Sequence, residues 1–286
     1  MAAENPTESA GPKAATRNMK KKRISKPKVS ALTRISFLPS VFTMLNLFLG
    51  YQALIHIIGG RQNFKTAIYY ITASVIMDGF DGTIARLTKT ESNFGMQLDS
   101  LVDGVTFGLV TSMLAFKWGF QAGFAHAGAI VSFVFLSAGL IRLARFNVYK
   151  EAQVIPANIF IGLPIPIGAM AVASVVLAFD GRPPQSRAGV LFFALYVVLV
   201  SLLMISNIRY RTIKKLAQKD SLKTLFLLAL MVSSLIIFPD STIPILTGLY
   251  LFSPLFFHFF ARRARPLDTA SAERKAEAPR EGKGGA

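Results

Sequence analysis

Asp78, Asp81, Asp99 and Asp103 are the residues of this sequence whose type and spacing could do chemistry. Of the 15 Asp and Glu, eleven fall in the tails, in loops or just past an apolar run, whereas these four lie within or at the ends of apolar stretches. An ionised Asp at the centre of a membrane helix costs roughly 2.5–3.5 kcal/mol, so four together call for compensation. Steps of three and four residues stack Asp78, Asp81, Gly82, Ala85 and Arg86 on one helix face, and Gly95, Asp99 and Asp103 on the next. The short loop 87–94 makes the two helices antiparallel, which brings the carboxylates to one site. Like charges so close repel strongly, and a divalent cation removes the conflict. The chain has no Cys, and His56, His126 and His258 stand at no ligand spacing, which assigns them to packing or interfacial roles. Oxygen ligands alone suit Mg²⁺, Mn²⁺ or Ca²⁺, and Mg²⁺ characteristically shares its shell between carboxylates and substrate phosphate. The same four residues could instead serve a cation path, a proton relay or structural pairing, and spacing alone leaves those readings open.

The elements that must position this site are membrane helices. Apolar residues make up 52% of the chain and 24 are Phe, and a span needs about 20 mostly apolar residues. Eight candidates follow, at 36–58, 66–86, 97–117, 122–144, 157–179, 188–208, 222–239 and 242–261. With the amino end inside, the inside segments hold 27 of the 32 Lys and Arg and the outside loops keep Arg61, Lys65, Lys117, Arg182 and Arg187. Positive loops stay on the cytoplasmic side, so both termini are expected there and the count of spans is even. The net charge of +17 sits in tails and short loops rather than along a soluble face, which argues for anionic lipid and against nucleic acid as the partner. Residues 1–34 read as a disordered basic arm, 35–262 as the transmembrane catalytic domain and 263–286 as a disordered tail. Gly162-Leu163-Pro164-Ile165-Pro166 suggests a kinked helix, and Trp118, just after Lys117, an interfacial anchor.

Asp78-Gly79-Phe80-Asp81-Gly82-Thr83-Ile84-Ala85-Arg86, followed at the expected spacing by Gly95, Asp99 and Asp103, resembles the signature of the CDP-alcohol phosphatidyltransferase family, with every position filled. Leu87 to Gly95, Leu98-Asp99-Ser100-Leu101, Arg142 to Asn147 and Phe160 to Pro164 are similar to one branch, the bacterial-type phosphatidylserine synthases. The likeness spans roughly residues 36–260 and leaves out both tails. It implies an all-α polytopic bundle of about eight transmembrane helices in the cell inner membrane, with the active site facing the cytoplasm, a homodimer, and transfer of a phosphatidyl group from CDP-diacylglycerol to L-serine. Relatives of the family use other acceptors, such as glycerol 3-phosphate, inositol or inositol phosphate. A cation-coupled transporter is the alternative of another class, and it would place carboxylates near the midplane on broken, repeated helices.

The resemblance also implies roles. Asp78, Asp81 and Asp99 would be ligands of two Mg²⁺ or Mn²⁺ ions, with Asp81 and Asp99 bridging them, and Asp103 would be the general base that also touches metal. Gly82, Arg86 and Ser92 match positions that hold the CDP moiety. Thr43 and Asn46, close together in the first span, could contact the nucleotide or bond between helices. Arg142, Arg145 and Asn147 close the fourth span on the same side. The two Arg, three residues apart, could hold the carboxylate of the acceptor, or could be ordinary inside-facing charge.

Overall fold

The computed structural model describes residues 37–59, 63–88, 93–120, 124–151, 159–211, 230 and 232–263, all within the unit Ile35–Ala286. In chain order come α1 (Phe37–Ile58), α2 (Phe64–Thr88) and α3 (Asn93–Asp103). A π-helical stretch, Gly104–Val110, carries α3 without a break into α4 (Thr111–Gly119). Then follow α5 (Ala125–Glu151), the strand β1 (Ile159–Ile161), α6 (Ile165–Ala178), α7 (Arg187–Ile205), the strand β2 (Arg209–Arg211) and α8 (Pro239–Arg263).

Among the described residues, four stretches are long and apolar enough to cross a membrane: Val41–Ile58, Phe94–Gly119, Ala125–Tyr149 and Arg187–Ile205. α6, with 14 residues, is apolar but shorter. α2 matches the others in length, but Lys65, Asp78, Asp81 and Arg86 lower its apolar character. Half of the expected span 222–239, residues 222–229 and 231, lies outside the described residues, and in the other half residues 230 and 232–237 are helical.

The helices bury one apolar face and expose another. Ala53 and Ile57 of α1, Ile68 and Ile71 of α2, Phe107, Leu114 and the Ala-rich face of α6 form a closed core. Phe48, Tyr51, Ile130, Phe133, Leu191, Phe192 and Leu195 point outward on α1, α5 and α7 and are exposed. Apolar surface on both faces is what a helix needs when its solvent is lipid. α1 packs along α2, α5 along α7 and α6 along α8, while the π-helical stretch touches α1 and α5. Gly50 permits the approach of α1 to that stretch, since a Cβ there would stand 2.6 Å from Thr106 Oγ1.

The structure departs from the sequence reading in three places. The segment expected to be a kinked helix at Gly162–Pro166 is a strand, a turn and a helix start. Gly162 adopts φ 76°, and Pro164, with φ −58° and ψ 140°, is the N-cap of α6. Proline is tolerated there because the first helical N–H groups have no intrahelical partner. The all-helical expectation meets a small exception in the antiparallel pair β1–β2, registered Ile159 to Arg211, Phe160 to Tyr210 and Ile161 to Arg209. Trp118 is 2% exposed, edge-on to Phe193 with ring centroids 4.8 Å apart and tilted against Phe179 at 6.1 Å. It is a core residue rather than an interfacial anchor, because α7 supplies the Phe193 ring that covers it. His56 stacks on Tyr70 at 5.4 Å, in keeping with a packing role.

At the α6–α7 connection the chain closes with Gly181 N–H donating to Val176 O and Asp180 N–H to Leu177 O, each at 2.8 Å. This is the pattern of a helix end with a left-handed residue, here Asp180 at φ 55°, which Asp tolerates better than most residues. The turn presents the Asp180 carboxylate to Lys65, which also pairs with Asp240 at 3.0 Å, while Tyr69 donates to Asp240 at 2.8 Å. The starts of α2 and α8 and the end of α6 are thereby joined. From Lys65 to Asp81 the rise along α2 is about 24 Å, so this cluster and the aspartates occupy opposite ends of the helix.

Candidate active site

Asp78 and Asp81 lie on α2 and Asp99 and Asp103 on α3, and carboxylates from the two helices converge. Asp78, Asp99 and Asp103 each offer an oxygen, and these three atoms lie within 4.8 Å of one another. Asp103 is 8% exposed, and its Oδ1 has no hydrogen-bond partner among the described residues. Asp81 is not one of this trio. It is buried, and its Oδ2 accepts from Thr43 Oγ1 of α1 at 2.9 Å. Its charge nevertheless acts on both Asp78 and Asp103. Thr43 thus joins the constellation as an orienting donor to a carboxylate.

A single cation of the protein faces the cluster among the described side chains. Arg142 of α5 is 5% exposed, lies in the field of Asp103 and Asp78, and stacks its guanidinium over Phe146 at 5.3 Å. It forms no ion pair among the described residues, and its Nε has no hydrogen-bond partner there. Hard divalent cations fit the chemistry of this donor set, three carboxylate oxygens within 4.8 Å of one another, because such ions take oxygen ligands.

The other expected site residues fall into three groups. Asn46 of α1 is fully buried, and neither its Oδ1 nor its Nδ2 has a partner among the described residues. Such an unsatisfied amide costs about 1–3 kcal/mol per group unless a ligand or water serves it. Asn147 reaches α3, donating from Nδ2 to Ser100 Oγ at 2.9 Å, so it braces the residue next to Asp99. The Arg145 guanidinium is occupied by the carbonyl oxygens of Ile161, Met204, Ile205 and Ser206 and by Asn207 Oδ1. Gly82 is half-buried on α2 beside Asp81. The Arg86 backbone belongs to α2, while its side chain and all of Ser92 lie outside what the structure describes.

Thr106 and Tyr250 are residues that the sequence does not mark. Thr106 is fully buried on the π-helical stretch, with its Oγ1 unpartnered among the described residues. No sequence signal marks it, since a π-helix shifts the register that an α-helical count assumes. Tyr250 of α8 stacks flat on Tyr210 of β2 with centroids 5.5 Å apart and shares the electrostatic neighbourhood of Arg142. Its distance along the chain from the aspartates hid that link.

A mainly helical chain with apolar helices long enough to cross a membrane and three converging carboxylates that could hold a metal ion is consistent with a membrane protein of the metal-binding class. The family model for CDP-alcohol phosphatidyltransferase matches residues 36–203, and the chain belongs to that family. Among similar proteins, the CDP-diacylglycerol–serine O-phosphatidyltransferase of Helicobacter pylori is 36% identical over 215 residues, 74% of this chain and 87% of its own. Enzymes of the same name from Bacillus subtilis, 30% identical over 65% of this chain and 96% of theirs, and from Methanocaldococcus jannaschii, 33% identical over 63% and 76%, are also similar.

Proposed function

We propose that this chain transfers the phosphatidyl group of CDP-diacylglycerol to the hydroxyl of L-serine, forming phosphatidylserine and releasing CMP. The observation that carries the reading is the trio of carboxylates within 4.8 Å beside a buried arginine whose Nε has no partner among the described residues. The names of the similar proteins support serine as the acceptor.

Asp78, Asp81, Asp99 and Asp103 would hold two Mg²⁺ or Mn²⁺ ions, which when bound supply charge neutralisation for the pyrophosphate and the leaving CMP. Asp103 receives the proton of the serine hydroxyl as its oxygen bonds to the lipid-side phosphorus. The bond from that phosphorus to the oxygen of CMP breaks, and CMP leaves as a phosphate monoester. Arg142, buried and planar, suits the serine carboxylate, and Asn147 braces that side through Ser100. Thr43 orients Asp81, and Asn46 offers its amide to the nucleotide. Gly82, Arg86 and Ser92 complete the CDP site in this reading. The enzyme acts as a multi-pass protein of the inner membrane, with its site and both termini on the cytoplasmic face, as a homodimer among membrane lipids.

Purified protein supplied with CDP-diacylglycerol, Mg²⁺ or Mn²⁺ and a panel of radiolabelled alcohols tests this directly. Serine incorporation with stoichiometric CMP release, abolished by chelation, is expected. Incorporation of inositol, inositol phosphate or glycerol 3-phosphate without serine would overturn the choice of acceptor, and cation flux without CMP release would overturn the reaction.

A further inference from the structure

We propose that Arg145 is a positioning residue for the acceptor side of the site, clamping the β1–β2 layer onto the end of α7, and not itself a ligand of the acceptor. The inference rests on the reading above for where the acceptor lies. It reassigns a residue whose spacing from Arg142 suggests a second carboxylate contact.

The guanidinium is committed elsewhere. Nη1 donates to Ile205 O at 2.7 Å and to Asn207 Oδ1 at 3.4 Å, and Nη2 donates to Ser206 O at 3.1 Å, Ile161 O at 3.2 Å and Met204 O at 3.3 Å. Ile205 ends α7, so the receiving carbonyls are those that a helix C-terminus leaves unsatisfied, where its dipole favours a cation. Ile161 belongs to β1, so one planar group ties strand and helix together. A lysine cannot reproduce this fork, because it offers a point charge on a flexible stem.

The backbone around the clamp is shaped to admit it. Gly162 N–H donates to Ile208 O at 2.8 Å, and Leu163 N–H to Leu203 O at 3.0 Å. Gly162 stands in the left-handed region, and a Cβ there would collide with Met204 O and lie 2.7 Å from Arg145 Nη2. Arg145 and Gly162 are therefore two parts of one device.

The clamp connects to the acceptor side by two routes. Arg142 lies one turn earlier on α5, so fixing the Arg145 end of that helix fixes the approach of Arg142 to Asp103. Tyr210 of β2 is 1% exposed and stacks on Tyr250, whose hydroxyl shares the surroundings of Arg142. Residues 209–211 and α8 lie beyond the family-matched segment 36–203. Tyr210 and Tyr250 form a wall on this side of the bundle.

Kinetics of Arg145→Lys, Gly162→Ala and the double variant, with the acceptor that the panel identifies, test the inference. Each single variant should raise KM for the acceptor about tenfold to a hundredfold while leaving KM for CDP-diacylglycerol within twofold. The double variant should be no worse than the worse single one, because both break the same clamp. Multiplied effects in the double variant, or an unchanged acceptor KM in Arg145→Lys, would overturn the assignment. A variant that no longer binds CDP-diacylglycerol is replaced by Tyr210→Leu, which disturbs the strand pair without touching Arg145 and should raise the acceptor KM in the same way. Absence of serine turnover by the unaltered protein would sink the serine reading alone, since the cycle is then run with the acceptor found.

Discussion

Replacing Thr43 by Val keeps shape and volume while removing one donor. Thr43 and Asp81 are 4% and 5% exposed, and their hydrogen bond measures 2.9 Å. A hydrogen bond to a charged group contributes about 1.5–3 kcal/mol, and 1.4 kcal/mol is a factor of ten in affinity. If that bond orients Asp81 for metal, its loss weakens the metal about tenfold to a hundredfold, the range found when such supporting partners are removed. The assay is initial rate against Mg²⁺ or Mn²⁺ concentration at saturating CDP-diacylglycerol and acceptor. Half-saturating metal should rise by that factor, and excess metal should restore most of kcat. A nucleotide contact through Thr43 would instead raise KM for CDP-diacylglycerol and leave the metal curve in place, and that result refutes the reasoning.

Asp103→Asn should abolish turnover while CDP-diacylglycerol still binds, because the amide keeps the shape and cannot take the proton; equilibrium binding alongside single-turnover CMP release checks this. Gly50→Ala should lower the melting temperature in detergent, since the new methyl meets Thr106 and overpacking a tight contact costs about 1–3 kcal/mol. Lys65→Met should lower thermal stability by an amount that does not change between about pH 5 and about pH 9. Asp180 and Asp240 are held below the ordinary 3.8, the first by its bond to Lys65 and the second by that of Tyr69 and then Lys65, so their contribution is present above that value and lost as pH falls through the lowered one. The bonds to Asp180 and Asp240 hold Lys65 above its ordinary 10.5, so its contribution is complete below 10.5 and lost only as pH rises further. A stability difference that varies across neutral pH in thermal scans would contradict this accounting.

Much of the site was legible because it is local. Asp78 and Asp81 share a helix face by their spacing, as do Asp99 and Asp103, and a short loop leaves two consecutive helices little choice but to face each other. The same logic reached Arg142, which lies at a span end on the side where positive residues gather. It could not separate Arg142 from Arg145. The two have the same type and nearly the same helix face, yet one is buried toward Asp103 and the other is consumed by carbonyls from two later segments. The wall built by Tyr210 and Tyr250 was equally hidden, because their stacking joins residues 40 positions apart.

By itself, the order of residues determined the membrane-type helices and the shared helix faces of the aspartates, since each follows from hydropathy and helical periodicity within a short run of chain. Only the tertiary structure decided which three of the four carboxylates meet, that Asp81 turns to Thr43, that Gly162 makes a turn rather than a kink, and that Trp118 lies under Phe193. Those outcomes depend on which distant side chain occupies the neighbouring space, and packing between segments far apart in sequence leaves no periodic trace along it.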